Sequence, residues 1–420
     1  MTEKKKSRRQ FLKITGLAAA ALPAITARGF GRVAGSNERI RLGIVGCGGI
    51  AQSHLGALLR MRESHNVEVA AVCDVYETRA RAFQDRIWRV GGDAALHDDH
   101  RKLIGHPGLD YVLIATPEHW HAQIALDALD AGLHVYCEKP MTHGLTGANQ
   151  VVDKVRETGL KLQVGVQGMS DDRYAAANKA IREGKLGPVL QAQIDYVRNH
   201  SLDLGPWRTG VQADLSKPSD LDWERWLGPA PKRPWSAPRY FEWRNYREYS
   251  GGIATDLFIH RLTRILKACD LTYPERVVGM GGIYLWNDGR DLPDNFEMLA
   301  EYPAVEGVTP GMTLQILGTM GNKRPNDHVI RGHKASLVFT REGWDIVDEA
   351  SGETVESHVR TGGEDIGLHH ENLLAAIREG QDLKCPAELG AYGVAAVAGA
   401  NQSWFEKRMM KWDAVAKAWV

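Results

Sequence analysis

The chain has 420 residues, of which 25% are charged and 43% are hydrophobic, a balance typical of a soluble globular protein and a length that suits two domains. Lysine plus arginine and aspartate plus glutamate each total 52, so the formal net charge is zero, which argues against a nucleic-acid binder. The five cysteines form no CxxC and no zinc-like cluster, so we expect free structural thiols.

The first residues have the layout of an export signal. A basic stretch ending in Ser7-Arg8-Arg9 is followed by Phe11 and by a mildly apolar run to about Ile25. That run is too short and too rich in alanine and glycine to span a membrane comfortably. The Ser-Arg-Arg-x-Phe-Leu-Lys pattern resembles the twin-arginine consensus, and a basic tail with a chance arginine pair is the alternative. We therefore predict a twin-arginine signal and linker over residues 1–36, and a periplasmic or otherwise exported protein.

A glycine-rich turn follows the first predicted strand. The strand covers residues 39–46 and leads at once into Gly-Cys-Gly-Gly-Ile-Ala, the alanine-ended form of the dinucleotide-binding fingerprint, before a helix to about Met61. The first glycine permits the tight turn, the second lets the backbone approach a pyrophosphate, and the alanine permits close packing of helix on strand. The predicted cofactor-binding residues of this turn are Gly46, Gly48, Gly49, Ile50 and Ala51.

The second predicted strand covers residues 67–74 and ends in Asp74. An acid at this strand end accepts hydrogen bonds from the adenosine ribose hydroxyls and repels a 2′-phosphate. Asp74 therefore predicts NAD as the cofactor and makes NADP less favoured. The alternative is that Asp74 only caps the following helix.

Strands and helices continue to alternate up to residue 167. Strands are predicted at 109–116, 134–140 and 161–167, and helices at 119–131 and 144–157. Repeated βα units predict an α/β Rossmann domain over residues 37–167, with a doubly wound parallel sheet and a site at the carboxyl ends of its strands. Further cofactor-binding candidates, at or just after strand ends, are Thr116, Pro117, His119, His121, Glu138, Lys139 and Gln167. The two histidines could equally serve helix packing.

The pattern changes after residue 167. A helix at 174–184 precedes a strand at 189–198, and strand-like runs lie near 275–285, 295–302, 312–319, 328–340 and 343–348. Consecutive strands with few helices between them predict an α+β domain with an open, mainly antiparallel sheet. We assign residues 168–420 to this domain, for substrate binding and oligomerisation, and its C-terminal helix could pack back on the first domain.

Three further motifs occur in order along the chain. They are Thr-Pro-x-x-x-His at 116–121, Glu-Lys-Pro at 138–140 and Gly-Gly-x-x-x-Asp-x-x-x-His at 251–260. With the fingerprint, over about residues 39–400, the set resembles the glucose–fructose oxidoreductase, inositol dehydrogenase and rhizopine catabolism (Gfo/Idh/MocA) family. The resemblance implies an NAD-dependent oxidoreductase acting on a hydroxyl of a sugar, polyol or glycoside. It also implies Lys139, Asp256 and His260 as the catalytic group, and a homo-oligomer, either a dimer or a tetramer.

These residue types suit the oxidation of an alcohol. The ordinary pKa of histidine lies near physiological pH, so His260 suits the base that takes the hydroxyl proton. Asp256 lies four residues earlier on the same predicted helix face, where it can orient the imidazole or bind a substrate hydroxyl, and Lys139 can stabilise alkoxide charge. The structural alternatives are a packing histidine, a surface Asp–His contact and a lysine that caps a helix. No histidine pair has ligand spacing with a third partner, so no metal site is predicted.

Residues 199–250, here called the aromatic segment, form a long predicted loop with Arg208, Arg239 and Arg244 interleaved. Long loops of this kind usually carry function. Flat rings can stack on a pyranose, and the same rings could instead bury the segment on its domain or at an oligomer interface. The sequence leaves both interpretations open. The rings are Trp207, Trp223, Trp226, Trp235, Trp243, Tyr240, Tyr246 and Tyr249.

An exported enzyme of this kind meets little free NAD. We therefore predict a tightly held NAD that is reduced and re-oxidised within one catalytic cycle. One alternative is a redox-neutral glycoside hydrolase, in which transient oxidation permits elimination, hydration and re-reduction without the usual carboxylate pair. Another is a non-catalytic sugar-binding protein. The expected partner is a small carbohydrate, with no nucleic acid and no stable membrane span.

Overall fold

The computed structural model describes residues 39–420, so the predicted export signal lies outside the described residues. The first sheet contains β1 (Ile40–Val45), β2 (Val67–Cys73), β3 (Ala95–His97), β4 (Tyr111–Ile114), β5 (His134–Glu138) and β6 (Leu162–Gly165). All its pairings are parallel and its order is β3-β2-β1-β4-β5-β6, the order of a dinucleotide-binding Rossmann fold. The central strands are buried on both faces, which explains their near-continuous apolar sequences.

Helices cover both faces of this sheet. They are α1 (Gly49–Met61), α2 (Glu77–Trp88), α3 (His100–Ile104), α4 (His121–Asp130) and α5 (Leu145–Thr158). Leu55 of α1 and Phe83 of α2 belong to one apolar cluster, whereas Ile124 of α4 and Val151 of α5 belong to another. The doubly wound parallel sheet predicted from the sequence is thereby confirmed.

The second sheet has ten strands and is mainly antiparallel, as predicted. Its strands are β7 (Val189–Val197), β8 (Arg276–Gly282), β9 (Asn295–Tyr302), β10 (Met312–Thr319), β11 (Val329–Gly332), β12 (Ala335–Phe339), β13 (Gly343–Asp348), β14 (Thr354–Val359), β15 (Met410–Asp413) and β16 (Ala418–Trp419). The order is β14-β13-β12-β11-β7-β10-β9-β8-β15-β16, with β7 and β10 paired in parallel. The predicted run at 328–340 is an antiparallel pair of short strands, β11 and β12.

Six further α-helices follow in the described residues. They are α6 (Arg173–Arg182), α7 (Trp223–Leu227), α8 (Ala237–Phe241), α9 (Ile259–Ala268), α10 (Ile366–Glu379) and α11 (Ala387–Glu406). Helix α11 contacts strand β6 of the first sheet and helix α5, which covers that sheet. It also contacts strand β8 of the second sheet and helix α9. The approach to β8 is close, because a Cβ added to Gly279 would lie 2.1 Å from the carbonyl oxygen of Ala400. Helix α10 packs on α1, and its Leu373 and Leu374 belong to the apolar cluster that contains Leu55 of α1. Two C-terminal helices therefore lie against the first sheet.

The aromatic segment crosses from β7 to the carboxyl edge of the first sheet. Leu221 forms a bridge with Tyr76, and the Asp222 amide donates to the carbonyl of Val75 over 2.8 Å. Its rings build a separate apolar cluster around Trp226 that packs against Val75 and Tyr76. The segment therefore lies beside the strand ends where the sequence predicted the cofactor.

Two further properties hold across the described residues. The five cysteines are free and buried, and burial raises the pKa of each thiol. Over residues 39–420, none of the helices combines the length and the apolar character that crossing a membrane requires.

Candidate active site

A cavity lies between the carboxyl edge of the first sheet and the aromatic segment. One wall contains strand-end and turn residues, namely Gly46, Gly48, Gly49, Ile50, Asp74, Thr116 and Pro117. The opposite wall comes from the aromatic segment and contains Arg225, Trp226, Tyr240, Phe241, Trp243 and Arg244. Seven of the predicted cofactor-binding residues thus line one space.

The fingerprint turn fits a dinucleotide. Gly46 has a φ of +89°, and an added Cβ would lie 2.8 Å from the backbone of Ala115 and Thr116, so the turn tolerates only glycine. At Gly48 and Gly49 an added Cβ would meet no atom within 4 Å, which leaves open space over the turn. No side chain caps the N-terminus of α1, so its free N–H groups can bind the pyrophosphate. Ala51 is fully buried beneath this turn, where it packs rather than lines the cavity.

Asp74 holds the turn as well as lining the cavity. One carboxylate oxygen accepts the Cys47 amide over 2.7 Å, and the other accepts the Tyr76 amide over 2.8 Å. Burial raises the pKa of the carboxyl, and these two amides and the nearby Arg79 oppose the rise. The bond to the amide of Tyr76, the N-cap residue of α2, shows that Asp74 also holds the start of this helix while it lines the cavity.

Lys139 and Asp256 meet although 117 residues separate them. Lys139 follows β5, and its Nζ donates to Oδ1 of Asp256 over 2.8 Å and to the Asp256 carbonyl over 2.9 Å. Nε of Arg244, from the aromatic segment, donates to the same Oδ1 over 2.9 Å. Burial raises the pKa of Asp256, but Arg244 and Lys139 outweigh it and hold that pKa below its ordinary value. The carboxylate is therefore charged, and two cations share it.

The backbone around Asp256 differs from the predicted α-helix. Ile253–Phe258 form a π-helical turn that continues into α9, a geometry frequent at functional sites. The Gly251-Gly252 turn before it is held by Glu118, whose carboxylate accepts from the Ser250 hydroxyl, the Gly251 amide and the Thr255 hydroxyl. Nothing in the local sequence indicates this role for Glu118.

His260 is neutral in this site. Burial lowers the pKa of the imidazole to about 3, and the charges of Lys139 and Arg264 contribute to the decrease. The ordinary histidine pKa assumed from the sequence is therefore wrong here. Nδ1 lies 3.8 Å from Oε1 of Glu364 and has no hydrogen-bond partner in the described chain. None of the hydrogen bonds of Asp256 within residues 39–420 reaches His260, so Asp256 does not orient the imidazole directly.

Two predicted histidines lie behind the cavity wall. His121 places Nδ1 2.7 Å from the Pro140 carbonyl and Nε2 2.9 Å from the Thr116 carbonyl, which joins the ends of β4 and β5. Nε2 of His119 lies 3.0 Å from the Trp226 carbonyl, and burial lowers the pKa of this ring to about 3. Both therefore support the strand ends and the aromatic segment.

Glu138 and Gln167 belong to a second buried layer. Glu138 Oε1 lies 2.9 Å from His54 Nε2 and accepts from Gln167 Nε2 over 2.5 Å, while Oε2 accepts the Lys139 amide over 3.1 Å. Burial raises the pKa of Glu138, and His54 offsets this, so the pKa lies below its ordinary value. His54 in turn contacts His370 over 2.9 Å, which ties α1 and α10 to the end of β5. The sequence analysis missed His54.

The rings and arginines of the aromatic segment divide between packing and the cavity. Most rings are buried in the segment's own cluster, and several of these also line the cavity. Arg208 is held by Glu242 and Asp288, and Arg239 is held by Glu248. Arg244 alone of these three reaches the cavity. Among the described residues, no three His, Cys, Asp or Glu side chains are grouped as metal ligands would be.

The parallel sheet, the fingerprint and the buried Lys139–Asp256 pair define an NAD-binding oxidoreductase fold. The family model described as "Oxidoreductase family, NAD-binding Rossmann fold" matches residues 40–166, and the model described as "Oxidoreductase family, C-terminal alpha/beta domain" matches residues 173–277. The chain belongs to the Gfo/Idh/MocA oxidoreductase family, as its motifs indicate.

Similar proteins include two inositol dehydrogenases. The chain is 31% identical to an inositol 2-dehydrogenase of Burkholderia multivorans over 45% of this chain and 54% of the relative. It is 28% identical to an inositol 2-dehydrogenase/D-chiro-inositol 3-dehydrogenase of Lactiplantibacillus plantarum over 44% of this chain and 52% of the relative. The chain thus spans about half the length of the curated relatives it matches.

Solved structures share the fold. An oxidoreductase domain protein from Kribbella flavida has a TM-score of 0.68 at 19% identity, over 89% of this chain and 99% of that one. The WlbA dehydrogenase from Bordetella pertussis, crystallised with NADH and UDP-GlcNAcA, has a TM-score of 0.63 at 18% identity, over 90% of this chain and 99% of that one.

Replacing Asp74 by serine should shift the cofactor preference towards NADP. The variant removes the carboxylate that repels a 2′-phosphate, while Arg79, which lines the same cavity, remains to pair with that phosphate. We expect the ratio of the NADP to the NAD dissociation constant to fall by about tenfold or more, measured by calorimetry on nucleotide-free protein. Asp74→Asn, which loses the charge but keeps a carbonyl acceptor, should show a similar shift. An unchanged ratio in both variants would contradict this role of the charge.

Replacing Lys139 by methionine should raise the pKa of His260. The lysine charge disfavours the imidazolium, so its removal makes protonation easier and moves the titration to higher pH. Histidine-selective NMR titration measures the change, with the signal assigned from a His260→Asn variant. Lys102→Met, at a surface pair with Asp98, is the matched control and should leave the titration unchanged. A pKa of His260 that does not move in Lys139→Met would refute the electrostatic coupling.

Proposed function

We propose that this protein is an NAD-dependent oxidoreductase that oxidises a CH–OH group of a sugar or polyol. The observation that carries the proposal is the charged group of Lys139, Asp256 and Arg244, which reaches the dinucleotide cavity through Arg244 and whose Lys139 charge acts on the neutral imidazole of His260. NAD, when bound, accepts the hydride. The inositol dehydrogenase relatives support a polyol or sugar hydroxyl as the group oxidised.

The residues divide the work of removing the hydroxyl proton. His260 is unprotonated at neutral pH, so its ring carries a lone pair for the proton. Lys139 Nζ uses two donors on Asp256, and its third hydrogen is free for the substrate oxygen. A base with so low a pKa accepts a proton from an alcohol only if the alkoxide is strongly stabilised. The buried ammonium supplies that stabilisation.

The aromatic segment supports the further proposal of a tightly held, recycled cofactor. Oδ2 of Asp220 accepts from both the amide and the hydroxyl of Thr78, and Nη1 of Arg225 donates to Asp98 over 2.9 Å. The Trp226 carbonyl lies within hydrogen-bond distance of both His119 and Trp120. Because these contacts fix one wall of the cavity to the other, NAD could leave only if the segment moved.

The decisive experiment is the identification and quantification of nucleotide in the purified protein, before and after addition of sugars, polyols and glycosides. We expect about one NAD per chain, with stable absorbance at 340 nm and an oxidised sugar when a donor sugar is supplied without an acceptor sugar to re-oxidise the NADH. Release of an aglycone without net reduction would favour the redox-neutral glycoside hydrolase. Protein without nucleotide and without affinity for it would favour a non-catalytic sugar-binding protein.

A matched pair of variants tests the enclosure separately. Asp220→Ala removes two hydrogen bonds of the segment and should speed exchange of bound NAD by about tenfold or more. Asp153→Ala, at an exposed carboxylate of α5, should leave exchange unchanged. Equal exchange rates in both variants would count against enclosure by the segment.

We propose that the chain is exported through the twin-arginine pathway, on the basis of Ser7-Arg8-Arg9. Free, buried cysteines are compatible with folding before export. Residues 1–38 fused to a reporter should direct it out of the cytoplasm, and Arg8→Lys with Arg9→Lys should abolish this. Export that persists in the double variant would exclude this pathway.

A homo-oligomer formed through the second sheet is also proposed. Met280 and Leu299 are exposed apolar residues on neighbouring strands of that sheet and suit such an interface. Light scattering of the purified protein should give a dimer or tetramer mass, and a monomer mass would contradict the proposal.

A further inference from the structure

The polar centre of the site is a group of buried charges around Asp256. Lys139 and Arg244 both hydrogen-bond to Oδ1 of Asp256, and the carboxylates of Glu118 and Glu138 also act on Arg244. The side chains of Lys139 and Asp256 are only 12% and 9% exposed. Because solvent compensates little at this depth, a hydrogen-bond donor left unused here favours a ligand that accepts from it.

Arg244 presents the unused donors of this group. Its Nε is taken by Asp256, and its guanidinium lies over the Trp243 ring at 4.2 Å from the ring centroid. Within residues 39–420 neither Nη atom donates to a protein acceptor, and the side chain is one third exposed to the cavity. The indole holds the guanidinium in place, so its free edge is presented at little cost in side-chain entropy.

Other arginines of the aromatic segment are paired with carboxylates. Arg208 is bonded by Glu242 and Asp288 together, and Arg225 is paired with Asp98 and Asp222. Arg239 shares Glu248 with Arg233 but lies outside the cavity lining. Arg244 combines a shared carboxylate, free Nη donors and a position on the cavity wall.

We propose that Arg244 binds a carboxylate of the substrate, so that the enzyme acts on acidic sugars such as uronates rather than on neutral ones. The two N–H groups on one edge of a guanidinium match the two oxygens of a carboxylate, a geometry that an ammonium cannot offer. The carboxylate takes the Nη donors that Arg244 leaves free, and its attachment beside Lys139 sets the distance between acid group and reacting hydroxyl. Arg244 is then a specificity-determining residue, and the inference rests on the proposed function for the reaction that follows binding.

The test compares matched ligands that differ in one carboxylate. Binding of D-glucuronate and D-glucose, and of D-galacturonate and D-galactose, is measured by calorimetry on the protein as purified. We expect one uronate to bind about tenfold or more tightly than its neutral partner, and Arg244→Gln to bring the ratio of the two affinities close to one. Arg244→Lys should restore part of it, and Arg247→Gln, an exposed arginine of the same segment, should behave as the wild type.

Several outcomes would overturn the inference. The first is equal or absent binding of both members of each pair in the wild type. The second is an equal loss of affinity for both members in Arg244→Gln. The third is that Arg244→Gln loses NAD rather than the uronate. Melting temperatures of the variants separate misfolding from a lost contact, and Arg244→Lys provides the comparison if Arg244→Gln does not fold. Absorbance at 340 nm in the same samples separates the two proposals. Uronate binding without reduction refutes only the proposed reaction, whereas reduction by neutral sugars without carboxylate preference refutes only the role of Arg244.

Discussion

The Asp256 carboxylate is the point on which the site depends, because three separate parts of the chain meet there. Lys139 comes from the end of β5, Arg244 from the aromatic segment, and Asp256 itself from the π-helical turn before α9. A buried carboxylate without cations would be protonated or would leave the interior. The two cations keep it charged, and in exchange it fixes their positions at the edge of the cavity.

The surrounding polar groups explain how such a charged group is held in a protein interior. Other buried groups support the parts of the chain that meet at Asp256. Glu118 fixes the Gly251-Gly252 turn, His121 joins two strand ends, and Glu138 holds the Lys139 amide. Polar groups buried with satisfied hydrogen bonds act as rigid supports. The motif residues that do not face the cavity are therefore part of the site's construction.

The charge of the site and the weakness of its base form one electrostatic system. Burial and the neighbouring cations keep His260 neutral, which makes a lone pair available but lowers its affinity for a proton. In the proposed reaction, the Lys139 ammonium lowers the free energy of the alkoxide by a direct charge interaction. A site arranged in this way stabilises the product of proton transfer more than it strengthens the base.

The sequence by itself determined the parallel sheet, the fingerprint turn, the strand-end position of Lys139 and the spacing of Asp256 and His260. These follow from local patterns, because alternation of apolar runs, glycine at a tight turn and residues at strand ends are properties of short stretches of chain. Short elements such as β3, α3 and β14 were not predicted, since three to six residues carry little periodic signal. Only the tertiary structure decided that Arg244 shares Asp256 with Lys139, that His54 supports Glu138 and that His260 has a low pKa. Each of these depends on burial and on contacts between residues far apart in the chain, which are set by how the two sheets and the aromatic segment pack and leave no mark in the local sequence.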